Sequence, residues 1–300
     1  MTIKKIPLSA ILSAHAAWLE NTAGGQRADL SGTTLNDCDL SGANLRQALL
    51  PGATLLDANL AGADLSGADL ERADLERANF AGADLSGAKL ANTQFSGAFL
   101  PGANLSEVTA VNASFRNARL SKARMIEAEV KDTTFRQAVA SGASFHQSRF
   151  YDVDFSESRL DEAIFYHARV QHTRFVGIAG AGASFAGSKV DHCDFSGAIL
   201  TGAKFVGAEL VQSVFRTADL RECDFRQAHL RGGDFGRAVF SGARFQNARF
   251  VMADFRGSNL RGARDLTGEQ LSQALTDQCT ILPNGHRGPY LRHSGAEKPG

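Results

Sequence analysis

The chain is short of the residues that usually announce chemistry. Its 300 residues include four cysteines, three tyrosines, three methionines and one tryptophan, and its charge is balanced, with 32 Lys and Arg against 32 Asp and Glu. A balanced chain carries no global field toward nucleic acid or a membrane surface. Apolar residues never run long enough to cross a bilayer, and no basic-then-apolar leader opens the chain. No two cysteines have metal-ligand spacing. Cys38, Cys193 and Cys223 stand where small apolar residues otherwise recur, and Cys279 lies apart. The expectation is a cytoplasmic protein with reduced thiols, no disulfide, no metal and no cofactor.

Catalytic constellations are missing too. Ser, Asp and His are plentiful but fall at positions that recur along the whole chain, so their presence is uninformative. The stretch Gly177-Ile-Ala-Gly-Ala-Gly182 superficially resembles a phosphate-binding loop, yet no helix-opening Lys follows it. Nothing here points to an enzyme.

What is present is a period. From Leu30 to Leu260, every fifth residue is Leu, Phe, Met or Val, except at Ala110, Ala140 and Gly180, and no insertion breaks the register. Two residues before each centre stands a small side chain, usually Ala, and Ala-Asp-Leu-Ser-Gly occurs at 28–32, 63–67 and 83–87. Neither a helix nor a strand has this spacing, so it is a structural repeat. One five-residue unit cannot bury itself; it becomes stable when units stack and their centres line a common core. Ser-Gly, Pro-Gly and Ala-Gly pairs after the centre suit turns.

Phe reveals a longer period. Nineteen of the twenty Phe lie at centres, and a ladder runs through Phe135, Phe145, Phe155, Phe165, Phe175, Phe185, Phe195, Phe205, Phe215, Phe225, Phe235, Phe245 and Phe255. The centres between them are mostly aliphatic. This alternation fits a four-sided coil of twenty residues with Phe on two opposite sides; a two-sided coil of ten would give it as well. Where the centre shrinks to Ala110 or Gly180, the small position grows to Val108 or Ile178, as close packing requires. Ala140 has only Ala138 beside it, which predicts looser packing there.

With these residues the chain resembles the pentapeptide-repeat proteins over about four-fifths of its length. The resemblance implies an all-β solenoid: a right-handed quadrilateral parallel β-helix of about 12 four-sided coils, with the centre and small positions pointing inward. It also implies that a relative's property, mimicry of DNA toward DNA gyrase, deserves weighing here. Some gyrase-protecting relatives carry loops that interrupt the register, and this chain has none.

The ends read differently. Residues 1–26 form an N-terminal helical cap, in which Leu8, Ile11, Leu12, His15, Trp18 and Leu19 share one helix face. Residues 27–264 form the β-helix. Residues 265–283 form a C-terminal helical cap, opened by the capping-box sequence Thr267-Gly-Glu-Gln270 and reaching about Leu275. Leu271, Leu275 and Leu282 offer a surface for a homodimer, as in some relatives. The tail, 284–300, is rich in Gly, Pro and charge and is expected to be disordered.

Two surface groups are candidates for function. A twenty-residue coil stacks His146 under Tyr166, with His167 beside them and Tyr151 near this group, and stacks His172 under His192 on a neighbouring side. Such an aromatic patch suits a protein contact. Separately, residues 28–107 hold 11 acidic and 4 basic residues, whereas 201–264 hold 11 basic and 6 acidic. Asp64, Asp69, Asp74 and Asp84 lie just before centres and form a candidate acidic, DNA-mimicking surface. Arg216, Arg221, Arg226 and Arg231 girdle one coil toward the other end. The reading that follows is a non-enzymatic, rigid protein-binding scaffold with an unidentified partner, without direct nucleic-acid or membrane binding. The alternative is a DNA mimic that modulates gyrase or protects it from quinolones.

Overall fold

The computed structural model describes residues 7–299, which divide into two compact units after Thr134. Residues 1–6 of the expected N-terminal cap and the last tail residue, Gly300, lie outside the described residues.

Both units are parallel β-solenoid with few helices, and a single hydrogen-bonding rule builds them. The residue before each centre bridges its equivalent twenty positions on, as in Asp29↔Leu49, Leu49↔Asp69 and Asp69↔Lys89 of the first unit. The Leu30 amide donates to the Leu49 carbonyl at 2.7 Å, and the Leu49 amide donates to the Ala28 carbonyl at 2.9 Å. Each five-residue piece then turns: the Thr33 amide donates to the Leu30 carbonyl at 3.1 Å. The second residue after each centre, from Gly32 to Gly262, has positive φ throughout. That explains the glycines seen at this position in sequence, because a side chain disfavours the left-handed region.

The first unit opens with α1, Leu8–Leu19. His15 is its one buried residue. His15 Nδ1 accepts the Ala28 amide at 3.0 Å, so the helix satisfies a backbone donor of the first repeat. The imidazole stacks on Trp18, with centroids 5.5 Å apart, and Arg27 lies over the indole at 5.8 Å. Gly25 permits this docking: a Cβ there would lie 2.5 Å from the Trp18 amide nitrogen. Further on, β1 (Thr109–Val111) pairs in parallel with β2 (Glu129–Lys131), placing Ala110 opposite Val130. Polar residues at the small inward position bond to neighbouring turns. Thr93 Oγ1 donates to the Leu70 carbonyl at 2.7 Å.

The second unit contains β3 (Arg149–Tyr151), β4 (Arg169–Gln171) and β5 (Lys189–Asp191), consecutive and parallel. Its core is the Phe ladder. Phe155, Phe175, Phe195, Phe215 and Phe235 stack with near-parallel planes, centroids 4.5–5.2 Å apart, in one column. Phe165, Phe185, Phe205 and Phe225 do the same at 4.7–5.2 Å in another. The two columns meet edge to face, as at Phe175–Phe185, 5.8 Å apart and 88° between planes. Both arrangements suit the aromatic quadrupole. The twenty-residue register therefore excludes the ten-residue coil.

The exceptions at centres obey volume. At Gly180 an added Cβ would meet Leu200 Cδ2 at 3.1 Å and Ile178 Cδ1 at 3.5 Å, so Ile178 occupies the missing side chain's space. Ala138 and Ala140 are as buried as their neighbours. Ten residues on in the same coil stands Phe150, where the next coils have Val170 and Val190, and its ring lies 5.7 Å from Phe145 and 5.6 Å from Phe155. Phe150 thus adds a large ring to the coil that holds Ala140.

After Arg264 the register slips but the ladder goes on, with Asp254 bridging Leu275 and Asn259 bridging Ile281. The extra residues form α2, Gly268–Ser272, shorter than the sequence suggested. Its capping box is present: Gln270 N–H to Thr267 Oγ1 at 3.2 Å and Thr267 N–H to Gln270 Oε1 at 2.7 Å. Gln270 Nε2 also donates to the Phe245 and Ala248 carbonyls. The tail corrects an expectation. Rather than being disordered, it turns back on this segment: Arg287 bridges Ile281 antiparallel, the Gly288 amide donates to the Thr280 carbonyl at 3.0 Å, and the Tyr290 amide donates to Thr276 Oγ1 at 2.8 Å. The slipped ladder leaves backbone groups that the tail satisfies, a cause that composition does not show.

Candidate functional site

The repeat positions its own surface. A side chain just before a centre projects outward from the coil side, and the two residues after a centre form the turn between sides. Residues twenty apart are therefore neighbours, and a functional group is assembled by column.

The acidic candidates are first of all structural. Asp64, Asp69, Asp74 and Asp84 each accept, through Oδ1, the amide two residues on, at 3.0, 3.1, 3.2 and 2.8 Å. This Asx arrangement holds the turn and accounts for Asp and Asn recurring there. Asp64 and Asp84 bridge each other directly in one column, whereas Asp69 pairs with Lys89 and Asp74 with Gln94 in two others. The structure thus brings two of the four together and sets the other two on different sides.

Three of the four girdle arginines, and Arg256 beyond them, are tied down by the same position. Arg226 pairs with Asp224 at 2.7 Å and Arg256 with Asp254 at 2.6 Å, while Arg221 pairs with Asp219 and Arg216 with Asp234. Hydrogen bonds from Arg221 and Arg256 hold Asp219 and Asp254 below the usual carboxylate range. The surplus of positive residues at 201–264 is therefore partly cancelled on the surface.

The aromatic candidates do gather, with one correction. His146 stacks on Tyr166, centroids 5.3 Å apart and planes within 9°, and His167 lies 4.0 Å from Tyr166. His172 stacks on His192 at 5.2 Å. Tyr151 does not join the first group; its ring meets His172 edge-on at 5.5 Å. The turn residues Tyr151 and His172 follow Phe150 and Val170, centres of a single column, so the coil period puts them on one corner. His167 Nδ1 lies 3.2 Å from the Gly187 carbonyl oxygen, an approach that works because a Cβ on Gly187 would come within 2.7 Å of the ring. His192 Nδ1 contacts Asp191 at 3.0 Å.

These two corners border one side of the solenoid, and the sequence reading missed what lies between them. That side is the β3–β5 strip, with Arg149, Arg169 and Lys189 outward on successive strands. The signal was available: at twenty-residue steps from Arg149, the position that elsewhere favours Asp or Asn carries Arg, Arg and Lys. All five histidines of the repeat region, including His229, lie on this side or its corners.

Among the described residues, no cluster of His, Cys, Asp or Glu could hold a metal ion, and no helix is long and apolar enough to cross a membrane. The cysteines are free, and burial pushes the Cys193 thiol up to about 12 and raises that of Cys223.

Sequence comparison bears directly on this architecture. The model for pentapeptide repeats matches residues 28–67, 38–77, 68–106, 218–257 and 238–274, and the model for a pentapeptide repeat region matches 88–165 and 148–225. The chain belongs to the pentapeptide-repeat proteins. No curated protein matches it in sequence. Among solved structures it is similar to HetL, a pentapeptide repeat protein involved in heterocyst differentiation regulation from the cyanobacterium Nostoc sp., at 23% identity over 94% of this chain and 100% of HetL, with TM-score 0.27. It is similar to QnrB1, a plasmid-mediated fluoroquinolone resistance protein, at 20% identity over 63% of this chain and 92% of that one, with TM-score 0.33. A pentapeptide repeat protein from the Arabidopsis thaliana thylakoid lumen matches at 23% identity over 40% of this chain and 68% of its own, with TM-score 0.29.

Proposed function

We propose that this protein is a non-enzymatic, rigid protein-binding scaffold acting in the cytoplasm, built as a right-handed, four-sided β-helix of about twelve coils closed by its terminal helices. The observation that carries the reading is the pair of aromatic corners, His146–Tyr166–His167 and Tyr151–His172–His192, bordering one flat β side. Tyr side chains supply contact area at low entropic cost and are enriched where proteins meet. Partner capture with the purified protein, followed by Tyr166→Ala and Tyr151→Ala variants, tests it. Loss of the partner with either variant supports the scaffold; capture indifferent to both removes this surface from consideration. The C-terminal leucines keep the homodimer proposal open to a sedimentation measurement.

A second reading, a DNA mimic toward DNA gyrase, draws on the acidic excess of residues 28–107 and on the adjacent carboxylates of Asp64 and Asp84. It ranks second because Asp69 and Asp74 lie on other sides and each carboxylate already serves its turn. Supercoiling by purified gyrase, with and without this protein and a quinolone, decides it: inhibition or protection that weakens with salt and with Asp64→Asn/Asp84→Asn promotes the mimic, and no effect removes it.

A further inference from the structure

The side between the two aromatic corners is the one side of the second unit with no Asp just before a centre. Elsewhere that position is mixed, with Asp154, Asp194, Asp234 and Asp254 beside Arg174 and Val214 in one column, Asp219 beside Arg159 in another and Asp224 beside Lys204 and Arg244 in a third. Here the same position holds Arg149, Arg169, Lys189, Glu209, His229 and Arg249, and not one Asp. The consequence follows from the Asx geometry. Arginines after Asp219, Asp224 and Asp254 fold back onto those carboxylates. Among the described residues no carboxylate pairs with Arg169, Arg231 or Arg249, while Lys189 has Glu209 at 3.4 Å. Within the second unit the acids on this side or at its corners are Asp152, Asp191 and Glu209; Asp191 contacts His192 and Glu209 contacts Lys189. Cations on successive parallel strands stand about 4.8 Å apart, in a line, exposed, and flanked on both sides by Tyr and His.

We propose that this strip is the docking surface for an acidic protein partner, with Arg169 and Lys189 as its central contacts. The proposal rests on the scaffold reading and names the chemistry of its partner. Charge complementarity selects an anion, since the guanidinium fork pairs with carboxylates bidentately. The rings select protein over single-stranded nucleic acid. Proteins that bind single strands offer open aromatic faces on which bases stack, whereas here His146 covers a face of Tyr166, His192 covers a face of His172, and His167 leans on Tyr166.

The test uses the full chain and two labelled probes of equal charge, an oligo-glutamate peptide and oligothymidylate, read by fluorescence anisotropy at low and moderate salt. The expected result is that the peptide binds, that salt weakens it, and that Arg169→Glu/Lys189→Glu weakens it roughly tenfold, in line with reversing two exposed contacts. Lys204→Glu, on a different side of the same unit, should leave it unchanged. Wild-type melting of each variant confirms that the fold is intact. Peptide binding that survives the double reversal, or falls equally with Lys204→Glu, overturns the proposal, as does binding of neither probe. Tighter binding of oligothymidylate, lost in the same variant, overturns it in favour of nucleic acid. A partner that Tyr166→Ala releases but the double reversal retains leaves the scaffold standing and removes only the acidic partner.

Discussion

Phe195 and Phe215 lie with ring centroids 4.6 Å apart and planes within 1°, while Phe185 meets Phe195 edge-on at 5.6 Å. Every Phe of the column is thus sandwiched along the coil axis and wedged from the side. Phe195→Ala opens a cavity that neither column can close without breaking its own stack. The expected cost is about 3–5 kcal/mol, measured by denaturant unfolding. A cost under about 1 kcal/mol contradicts the packing described here.

Gly180 and Ile178 share one space. Gly180→Leu should overpack against Leu200 and Ile178 and destabilise by about 1–3 kcal/mol. Adding Ile178→Ala should recover much of that loss, because the volume moves back to the centre. A double-mutant cycle checks this; two additive penalties would show that the residues do not exchange volume.

His15 links α1 to the first repeat as a neutral acceptor. Burial pushes its imidazole below the ordinary value, and the Arg27 charge acts in the same direction. A lowered folded-state value means that the contribution is present above the ordinary imidazole value of about 6.5 and is lost as pH falls through the folded value. Amide exchange at Ala28 should accelerate as pH drops through that window, beyond the intrinsic pH dependence of exchange. In His15→Leu the excess should vanish while the unmatched Ala28 amide costs about 1–3 kcal/mol. Gly25→Ala should release the helix at every pH, read from Trp18 fluorescence.

Asp219 and Asp254 follow the same rule for acids. Their folded-state values are lowered by Arg221 and Arg256, so their contribution is present above the unfolded carboxylate value, about 3.9, and is lost as pH falls below it. Because the arginines are exposed, Arg221→Gln and Arg256→Gln should each cost little at neutral pH. The difference from wild type should shrink toward zero in acid; an effect that stays constant would assign the loss to packing.

Leu30 to Leu260 made the repeat legible because a five-residue unit leaves its large side chain no alternative to a shared core. The Phe alternation narrowed the coil to two lengths, and the Ile178–Gly180 exchange was readable because close packing conserves volume locally. The packing of Phe150 against Phe145 and Phe155, in the coil that holds Ala140, was not, since it depends on which centres the coil sets side by side. The tail was misread for a related reason: its composition is that of disordered chain, yet the slipped register after Arg264 exposes backbone groups that give it a partner.

The sequence by itself determined the repeat, its inward residues and the turns, because each depends on neighbours within a few positions. Tertiary structure decided which turns share a corner, moving Tyr151 to His172, and which charges are quenched, tying Arg226 to Asp224 while leaving Arg169 beside no carboxylate. The physical reason is the twenty-residue rise: surface chemistry here is written in columns whose members are far apart along the chain, and only the stacked coil sets them side by side.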